Sequence, residues 1–304
     1  MAAFMDRLVA RICAVRNPVM VGLDPRLDSL PEPLGNVNPA DRAAVAERYT
    51  QFCCGVIDAV ANLVAIVKPQ AAFFEQLGPP GMSALQRVVA YAQERNLLVV
   101  IDAKRNDIGT TAQAYADAFL GRASAWGGDA LTVSPYLGDD SLEPFVQVAA
   151  KRDAGIFVLV KTSNPGGKLL QDIVVDGQPL YARVGAFVEG LAKASRGDCG
   201  YGIAGAVVGA TYPHELKELR ALMPSTFFLV PGFGAQGGTA KDCAAAFDEK
   251  GLGAVINNSR GIIFAHSQPA YAEKFGAARW QDAVAAATRD MIDKLRAETT
   301  VGRL

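Results

Sequence analysis

Eight short apolar runs recur along the 304-residue chain, and longer Ala-rich segments fill the gaps between them. Within each run the hydrophobic residues are nearly continuous and do not alternate with polar ones. Such continuous apolarity is typical of parallel strands that are covered on both faces. The runs predict strands at 18–24, 63–69, 97–104, 129–135, 156–163, 205–211, 226–232 and 253–260.

The intervening segments carry apolar residues at helical spacing. They predict helices at 39–60, 82–95, 111–125, 141–151, 180–195, 213–222 and 239–249, and a last one, in one or two pieces, at 269–295. Eight β/α units in a chain of this length match a (β/α)₈ TIM barrel more closely than an open doubly wound sheet. We therefore predict an α/β fold in which residues 1–304 form a single (β/α)₈-barrel catalytic domain.

One segment, residues 164–179, interrupts this alternation after the fifth strand. Its sequence, NPGGKLLQDIVVDGQP, is rich in glycine and other turn-forming residues. We predict a loop or small hairpin that is inserted above the barrel.

Composition and charge exclude several classes of protein. The chain has 30 Lys and Arg against 31 Asp and Glu, so it has no bulk attraction for nucleic acid or acidic membranes. No apolar run approaches the roughly 18 residues that would span a bilayer. The five cysteines are scattered and never spaced as C-x-x-C, which argues against a disulfide framework and a zinc site. We expect a cytoplasmic protein without a metal, nucleic-acid or membrane partner.

Polar residues follow the apolar runs, and the third run carries the densest group. Asp102 and Lys104 are two positions apart on the predicted strand, so their side chains point the same way, and Asp107 follows at the turn. A lysine beside carboxylates keeps its proton. Lys104 is thus an acid and a poor Schiff-base nucleophile. Lys68, on the neighbouring strand, adds a second cation, although a structural ion pair that caps the strand is the alternative interpretation.

A glycine-rich segment, PGFGAQGG, follows the seventh strand at 231–238. It contains G-x-G-x-x-G, but no ribose-binding acid follows a later strand, so a dinucleotide fold is not indicated. In a barrel, the loops after strands seven and eight commonly bind phosphate. Arg260 lies at the end of the predicted eighth strand, and its guanidinium can donate paired hydrogen bonds to phosphate oxygens. Gln236 can donate one more. The alternative is that these glycines serve only to form turns.

These motifs together resemble the orotidine 5'-phosphate decarboxylase family. The sequence IDAKRNDIGT at 101–110 is similar to the D-x-K-x-x-D-I signature of that family. Matches at other strand ends support the resemblance, namely Asp24, Lys68, Ser163, Pro231-Gly232 with Gln236, and Ser259-Arg260. The chain length and the insertion at 164–179 resemble the longer-chain subgroup of the family. The loop after the seventh strand is shorter than the phosphate-binding loop of some members.

The resemblance implies a function and a set of roles. The reaction is decarboxylation of orotidine 5'-phosphate to UMP and CO₂, the last step of de novo pyrimidine nucleotide biosynthesis, with no cofactor and with a lysine that protonates C6. The implied catalytic residues are Lys68, Asp102, Lys104 and Asp107. The implied substrate-binding residues are Asp24, Ile108, Thr111, Ser163, Pro231, Gly232, Gln236 and Arg260.

Within this set, the resemblance implies that Asp24, Lys68 and Thr111 bind the ribose hydroxyls and that Ser163 contacts the amide edge of the pyrimidine. Gln236 and Arg260 bind the 5'-phosphate. The family also implies a homodimer with shared active sites, in which Asp107, Ile108 and Thr111 reach the site of the other subunit.

Two other functions remain open at the level of sequence. A metal-dependent sugar-phosphate decarboxylase or epimerase on the same barrel also uses a D-x-K-x-x-D strand, and it would lose turnover with a chelator. A catalytically silent nucleotide-binding protein would show no turnover with any candidate substrate.

Overall fold

The computed structural model describes residues 3–234 and 237–304. Eight parallel strands form a closed barrel, which confirms the predicted (β/α)₈ architecture. These strands are β1 (Val19–Leu23), β2 (Ile66–Pro69), β3 (Leu98–Arg105), β4 (Ala130–Val133), β5 (Gly155–Lys161), β8 (Ala204–Val208), β9 (Phe228–Val230) and β10 (Ala254–Asn258). Their order around the barrel is the order along the chain, and β10 closes onto β1.

The helices lie outside the barrel, apart from one at its floor. They are α1 (Phe4–Val15), α2 (Arg42–Val60), α3 (Ala72–Glu75), α4 (Pro79–Glu94), α5 (Gly109–Phe119), α6 (Glu143–Lys151), α7 (Lys168–Gln171), α8 (Leu180–Ala194), α9 (Pro213–Leu222), α10 (Ala240–Cys243), α11 (Arg260–Ile263), α12 (Pro269–Phe275) and α13 (Trp280–Glu298). The last predicted helix is in two pieces, α12 and α13, with a 3₁₀ turn between them.

Two predicted helices are shorter than expected. The helix predicted at 111–125 ends at Phe119, because Leu120 pairs with Gly128 and Gly121 takes a left-handed φ of 85°. In place of the helix predicted at 239–249, the structure contains only the short helix α10 and one 3₁₀ turn. There the Asp248 carboxylate accepts hydrogen bonds from the N–H groups of residues 250 and 252, which closes a loop that a continued helix would not allow.

Helix α1 closes one end of the barrel, and this helix was not predicted from the sequence. Its residues Phe4, Met5, Leu8 and Ile12 share one face at helical spacing and are completely or almost completely buried. They share a core cluster with Phe157 of β5 and with Phe227, which immediately precedes β9. Full burial of a side chain such as Phe4 or Leu8 contributes about 1.5–3 kcal/mol, so α1 stabilises the floor of the barrel.

The residue that follows α1 and the last residue of the chain meet at this closed end. Arg16, which follows α1, donates from Nε to the carbonyl oxygen of Leu304 at 2.7 Å. Arg296 on α13 donates in turn to the carbonyl oxygen of Arg16. The opposite end of the barrel, at the carboxyl ends of the strands, is open.

The segment 164–179 forms a small hairpin, which confirms the prediction for the insertion. After a 3₁₀ turn and α7, strands β6 (Val174–Val175) and β7 (Gln178–Pro179) pair antiparallel. Asp172 reaches back to form an ion pair with the buried Lys161 of β5. Gln171 exchanges two hydrogen bonds with Thr162, so the hairpin is tied to the strand that it follows.

In the part of the chain that the structure describes, no helix is long and apolar enough to cross a membrane.

Candidate active site

The carboxyl ends of the barrel strands surround a cavity of about 530 Å³. Seven strands each place at least one side chain in its lining. Lys68, Asp102, Thr132, Leu159, Val207, Leu229 and Asn257 come one from each strand, and β3 and β10 add Lys104 and Asn258. On β1 the position level with Lys68 is Gly22. A Cβ atom there would come within 1.9 Å of Ser259 Oγ, so this position requires glycine.

The lining of the cavity is divided into a charged arc and an apolar arc. Neighbouring strands β2, β3 and β4 supply the charged arc, which consists of Lys68, Asp102 and Thr132 together with Lys104. Neighbouring strands β5, β8 and β9 supply the apolar arc of Leu159, Val207 and Leu229. A ligand in this cavity therefore meets fixed charges on one side and an apolar surface on the other.

Asp102 is the centre of the charged arc. Its Oδ2 accepts hydrogen bonds from Lys68 Nζ at 2.7 Å and from Gln70 Nε2 at 3.0 Å. Its Oδ1 accepts from Lys104 Nζ at 2.6 Å and from the Thr132 hydroxyl at 2.9 Å. The predicted pairing of Asp102 with Lys104 and Lys68 is therefore present in the structure.

The electrostatics of this cluster keep it charged. Burial alone would raise the pKa of the Asp102 carboxyl, but the ammonium groups of Lys68 and Lys104 outweigh burial and hold that pKa well below its usual range. Burial alone would lower the pKa of Lys68, and the carboxylates of Asp102 and Asp24 reverse this, so that the pKa is raised.

The two lysines differ in their access to the cavity. The Lys68 side chain is 5% exposed, whereas that of Lys104 is 48% exposed. Lys68 is therefore enclosed by the barrel and neutralises Asp102 from below. Both lysines line the cavity, and the Lys104 ammonium is the more accessible of the two to a bound molecule.

The other predicted substrate-binding residues fall into three groups. The first group lines the cavity and consists of Asp24, Ser163, Pro231, Gly232 and Arg260. Asp24 Oδ1 is buried without a hydrogen-bond partner among the described residues, so it is an acceptor available to a ligand hydroxyl. Gly232 has a φ of 104°, which favours glycine, and Arg260 begins α11.

The second group lies outside the lining of the cavity and consists of Asp107, Ile108 and Thr111. Asp107 accepts a hydrogen bond from the N–H of Ile108 at 2.9 Å, and Ile108 is 56% exposed. Thr111 is exposed in the first turn of α5. The third group is Gln236 alone, which lies outside the described residues.

Several residues of the cavity were not singled out from the sequence. They are Arg26, Gln70, Thr132, Leu159, Thr162, Asn164, Val207, Leu229, Phe233, Asn257 and Asn258. Thr132 is the polar residue of the otherwise apolar β4, and Asn257 and Asn258 are the polar residues at the end of β10, so their polarity on buried strands could have identified them. The apolar members give no comparable signal, because they look like any other core residue.

A second cavity, of about 650 Å³, lies under the connection between β1 and α2. It shares Arg26 with the first cavity but is lined by residues 26–39 with Tyr49, Phe73 and Gln76, so it has no lysine among its described lining residues. The cluster of opposite charges therefore points to the first cavity as the reactive one.

Over residues 3–234 and 237–304, no group of three or more His, Cys, Asp or Glu side chains is placed to hold a metal ion. What the strand ends do offer is a charged amine fixed by a carboxylate, close to donors suited to a phosphate. This combination can stabilise negative charge on a phosphorylated ligand and transfer a proton to it.

Comparisons with known proteins agree with this geometry. Residues 17–275 match the model of the orotidine 5'-phosphate decarboxylase / HUMPS family. Orotidine 5'-phosphate decarboxylase of Rhodopirellula baltica is 56% identical over 301 residues, which cover 97% of this chain and 100% of that protein.

Two solved structures extend the comparison. The OMP decarboxylase of Leishmania donovani superposes with a TM-score of 0.75 at 33% identity, covering 97% of this chain and 98% of that one. The UMP synthase of the same organism superposes with a TM-score of 0.78 at 34% identity, covering 98% of this chain. The match covers only 57% of the UMP synthase chain, which is a longer protein.

Proposed function

The chain belongs to the orotidine 5'-phosphate decarboxylase family and is a carboxy-lyase of pyrimidine biosynthesis, and from this premise we propose how its residues act. The reaction needs no cofactor, Lys104 protonates C6 of the substrate, and residues 1–304 act as one catalytic domain. The observation that carries the proposal is the Lys104 ammonium, held 2.6 Å from Asp102 at the edge of a cavity that Arg260 also lines.

The chemical difficulty is the carbanion that remains at C6 when CO₂ departs. No carbonyl group is positioned to delocalise this charge, so stabilisation on the order of 20 kcal/mol is needed. The Lys104 ammonium supplies a fixed positive charge beside the developing negative one. It then donates its proton to C6, which completes the reaction as general acid catalysis.

Asp102 acts by holding Lys104 in place. Its depressed pKa keeps it ionised, and the ionised carboxylate accepts the hydrogen bond that orients the ammonium. Lys68 balances the remaining negative charge from within the barrel, because it binds the other carboxylate oxygen. The cluster is therefore preorganised before the substrate binds.

The apolar arc complements this charged arrangement. Leu159, Val207 and Leu229 exclude water from one side of the cavity, and an apolar surface favours uncharged CO₂ over a carboxylate. Opposite charges act more strongly where water is excluded, so the apolar arc also strengthens the contribution of Lys104.

The phosphate and the pyrimidine are bound at the rim. Arg260 and the backbone at Gly232 bind the 5'-phosphate, with Gln236 as a further donor, and Pro231 supports this loop. Asp24 and Lys68 bind ribose hydroxyls, and Ser163 contacts the amide edge of the base. Because the phosphate is remote from C6, its binding energy can be used to align the reacting carbon with Lys104.

A homodimer completes the site in this proposal. Asp107, Ile108 and Thr111 lie outside the cavity of their own chain, which is the arrangement needed if they serve the neighbouring one. Thr111 borders a shallow groove of about 340 Å³ whose lining is mainly apolar and includes Tyr115 and Trp126. A second copy that covers this groove would bring the three residues to the partner's cavity.

The direct test is turnover of orotidine 5'-phosphate by the purified protein in the presence of EDTA. We expect equal amounts of UMP and CO₂ at a rate that EDTA does not change. A rate that falls with EDTA and returns with added divalent metal would reject the cofactor-independent reaction and favour the metal-dependent alternative.

The shared site is tested by mixing two inactive variants, Lys104→Ala and Asp107→Ala. Hybrid dimers would contain one site with neither substitution, so activity should reappear on mixing. Mixtures as inactive as their parents would show that each subunit carries a self-contained site.

A further inference from the structure

Lys104 sits in an unusual stretch of backbone. The regular pairing of β3 with β4 is interrupted between Ile101 and Arg105, and Lys104 has a φ of 48°. This left-handed conformation is uncommon for a residue with a side chain and persists only where the surroundings hold it. The structure must therefore contain a group that fixes the backbone of Lys104.

That group is the hydroxyl of Thr132 on the adjacent strand β4. Thr132 Oγ1 accepts a hydrogen bond from the main-chain N–H of Lys104 at 2.9 Å, and it donates one to Asp102 Oδ1, also at 2.9 Å. The Lys104 ammonium binds the same carboxylate oxygen at 2.6 Å. Backbone N–H, hydroxyl, carboxylate and ammonium thus form a closed ring that begins and ends on Lys104.

The direction of each hydrogen bond in this ring is set by chemistry. A main-chain N–H can only donate and an ionised carboxylate can only accept, so the hydroxyl must accept from the first and donate to the second. Thr132 is 1% exposed, so water cannot readily replace it. The hydroxyl therefore links the conformation of the Lys104 backbone to the position of the Asp102 carboxylate.

We propose that Thr132 is a positioning residue, whose hydroxyl fixes both the left-handed backbone of Lys104 and the carboxylate that orients its ammonium. The inference rests on the proposed role of Lys104 as proton donor. It assigns to Thr132 no contact with the substrate. Its effect is on the placement of the ammonium, and so on the chemical step rather than on ligand binding.

The informative variant is Thr132→Val, which keeps the branched shape and removes the hydroxyl. Without it, the Lys104 N–H loses its acceptor and Asp102 loses a donor, so the backbone can relax and the ammonium can shift. A misplacement of a catalytic group by about 1 Å can reduce the rate about 100-fold. Thr132→Ser restores a hydroxyl at the same position and is the conservative variant.

The chain offers a matched control in Thr288. It is also completely buried, and its hydroxyl donates to the main-chain carbonyl of Val284 at 2.8 Å within α13. Thr288→Val therefore removes an equally buried threonine hydroxyl on an element that contributes nothing to the cavity lining.

The experiment measures kcat and KM with orotidine 5'-phosphate, the Kd for UMP, and unfolding by urea for all three variants. For Thr132→Val we expect kcat to fall about 10- to 100-fold, with KM and the Kd for UMP within about threefold of the wild type. Thr132→Ser should retain kcat within about threefold, and Thr288→Val should change only the unfolding curve. If Thr132→Val does not fold, Thr132→Ala, which also lacks the hydroxyl, takes its place with the same expected loss.

Two outcomes would overturn the inference. One is a hydroxyl-free variant at position 132 that keeps kcat within threefold, and the other is an equal loss of kcat in Thr132→Ser. Lys104→Ala, measured in the same series, distinguishes failure of the proton-donor role of Lys104 from failure of the positioning role of Thr132. Undiminished turnover by Lys104→Ala would reject the proposed proton donor, whereas an inactive Lys104→Ala beside a fully active Thr132→Val would reject only the role of Thr132.

Discussion

Two buried aspartates lie at opposite ends of the barrel, and both are surrounded in the same way. Asp102 is at the open end and Asp129, which precedes β4, is at the closed end. Each carboxylate accepts hydrogen bonds from two basic side chains and two further donors. For Asp129 the donors are Arg7 Nη1 at 2.9 Å, Arg122 Nε at 3.2 Å, Gln93 Nε2 at 3.2 Å and the Val99 N–H at 3.0 Å.

The difference between the two clusters lies in the identity of the cations and in what they face. Lysines bind Asp102 beside an open cavity, whereas arginines bind Asp129 beside the helix that seals the floor. An arginine guanidinium keeps its protons and binds in a rigid fork, while a lysine ammonium sits on a flexible stem and can give up a proton. In the proposed function, the same electrostatic arrangement thus supports chemistry at the open end, whereas at the closed end it attaches α1.

Removal of one cation from each cluster should give the largest difference in kcat between the two ends of the barrel. We expect Lys104→Ala to lower kcat by about 10⁴- to 10⁷-fold, because it removes the proposed general acid, which is also the charge proposed to stabilise the carbanion. UMP should still bind. Arg122→Ala, the matched change at the closed end, should leave kcat within about threefold. Steady-state kinetics and UMP titration check this, and similar losses of kcat in both variants would mean that the two ends are not functionally distinct.

Asp129→Asn should have its effect on stability. It leaves the two arginines without their counter-charge and turns an acceptor atom into a donor, so we expect the free energy of unfolding to fall by about 2–4 kcal/mol. Urea unfolding measures this, and kcat per folded molecule should stay within about threefold. Asp117→Asn, which breaks an exposed pair with Arg152, serves as the control and should cost less than about 1 kcal/mol. A loss of kcat in Asp129→Asn without a loss of stability would contradict the division of roles.

The smallest expected effect concerns acid stability. The pKa of Asp102 is lowered in the native protein, so below its ordinary value near 4 the unfolded chain binds a proton that the native chain does not. Its contribution to stability is therefore complete above that pH and is lost as the pH falls toward the native pKa. Over this acid range we expect unfolding of the wild type to depend more steeply on pH than unfolding of Asp102→Asn, by up to about 1.4 kcal/mol per pH unit. Urea unfolding at several acidic pH values tests this, and equal slopes would show that Asp102 does not titrate differently in the two states.

The sequence was sufficient to predict the barrel and the open-end cluster, but not the closed-end one. Continuous apolar runs locate buried parallel strands, and residues at their carboxyl ends must converge on one face, so Asp102 and Lys104 could be placed in advance. The position of α1 could not, because it depends on long-range contacts such as that between Arg7 and Asp129. Thr132 was not predicted either. Its polar side chain on a buried strand was a usable signal, but the role proposed for it depends on the irregular backbone of Lys104 on another strand.

The meeting of Arg16 and Leu304 behind the barrel has a practical consequence for handling the enzyme. Both residues lie on the side of the barrel opposite the cavity. A tether attached through Leu304 would therefore lie behind the barrel. The protein can thus be immobilised on a support with its entrance directed toward the solution.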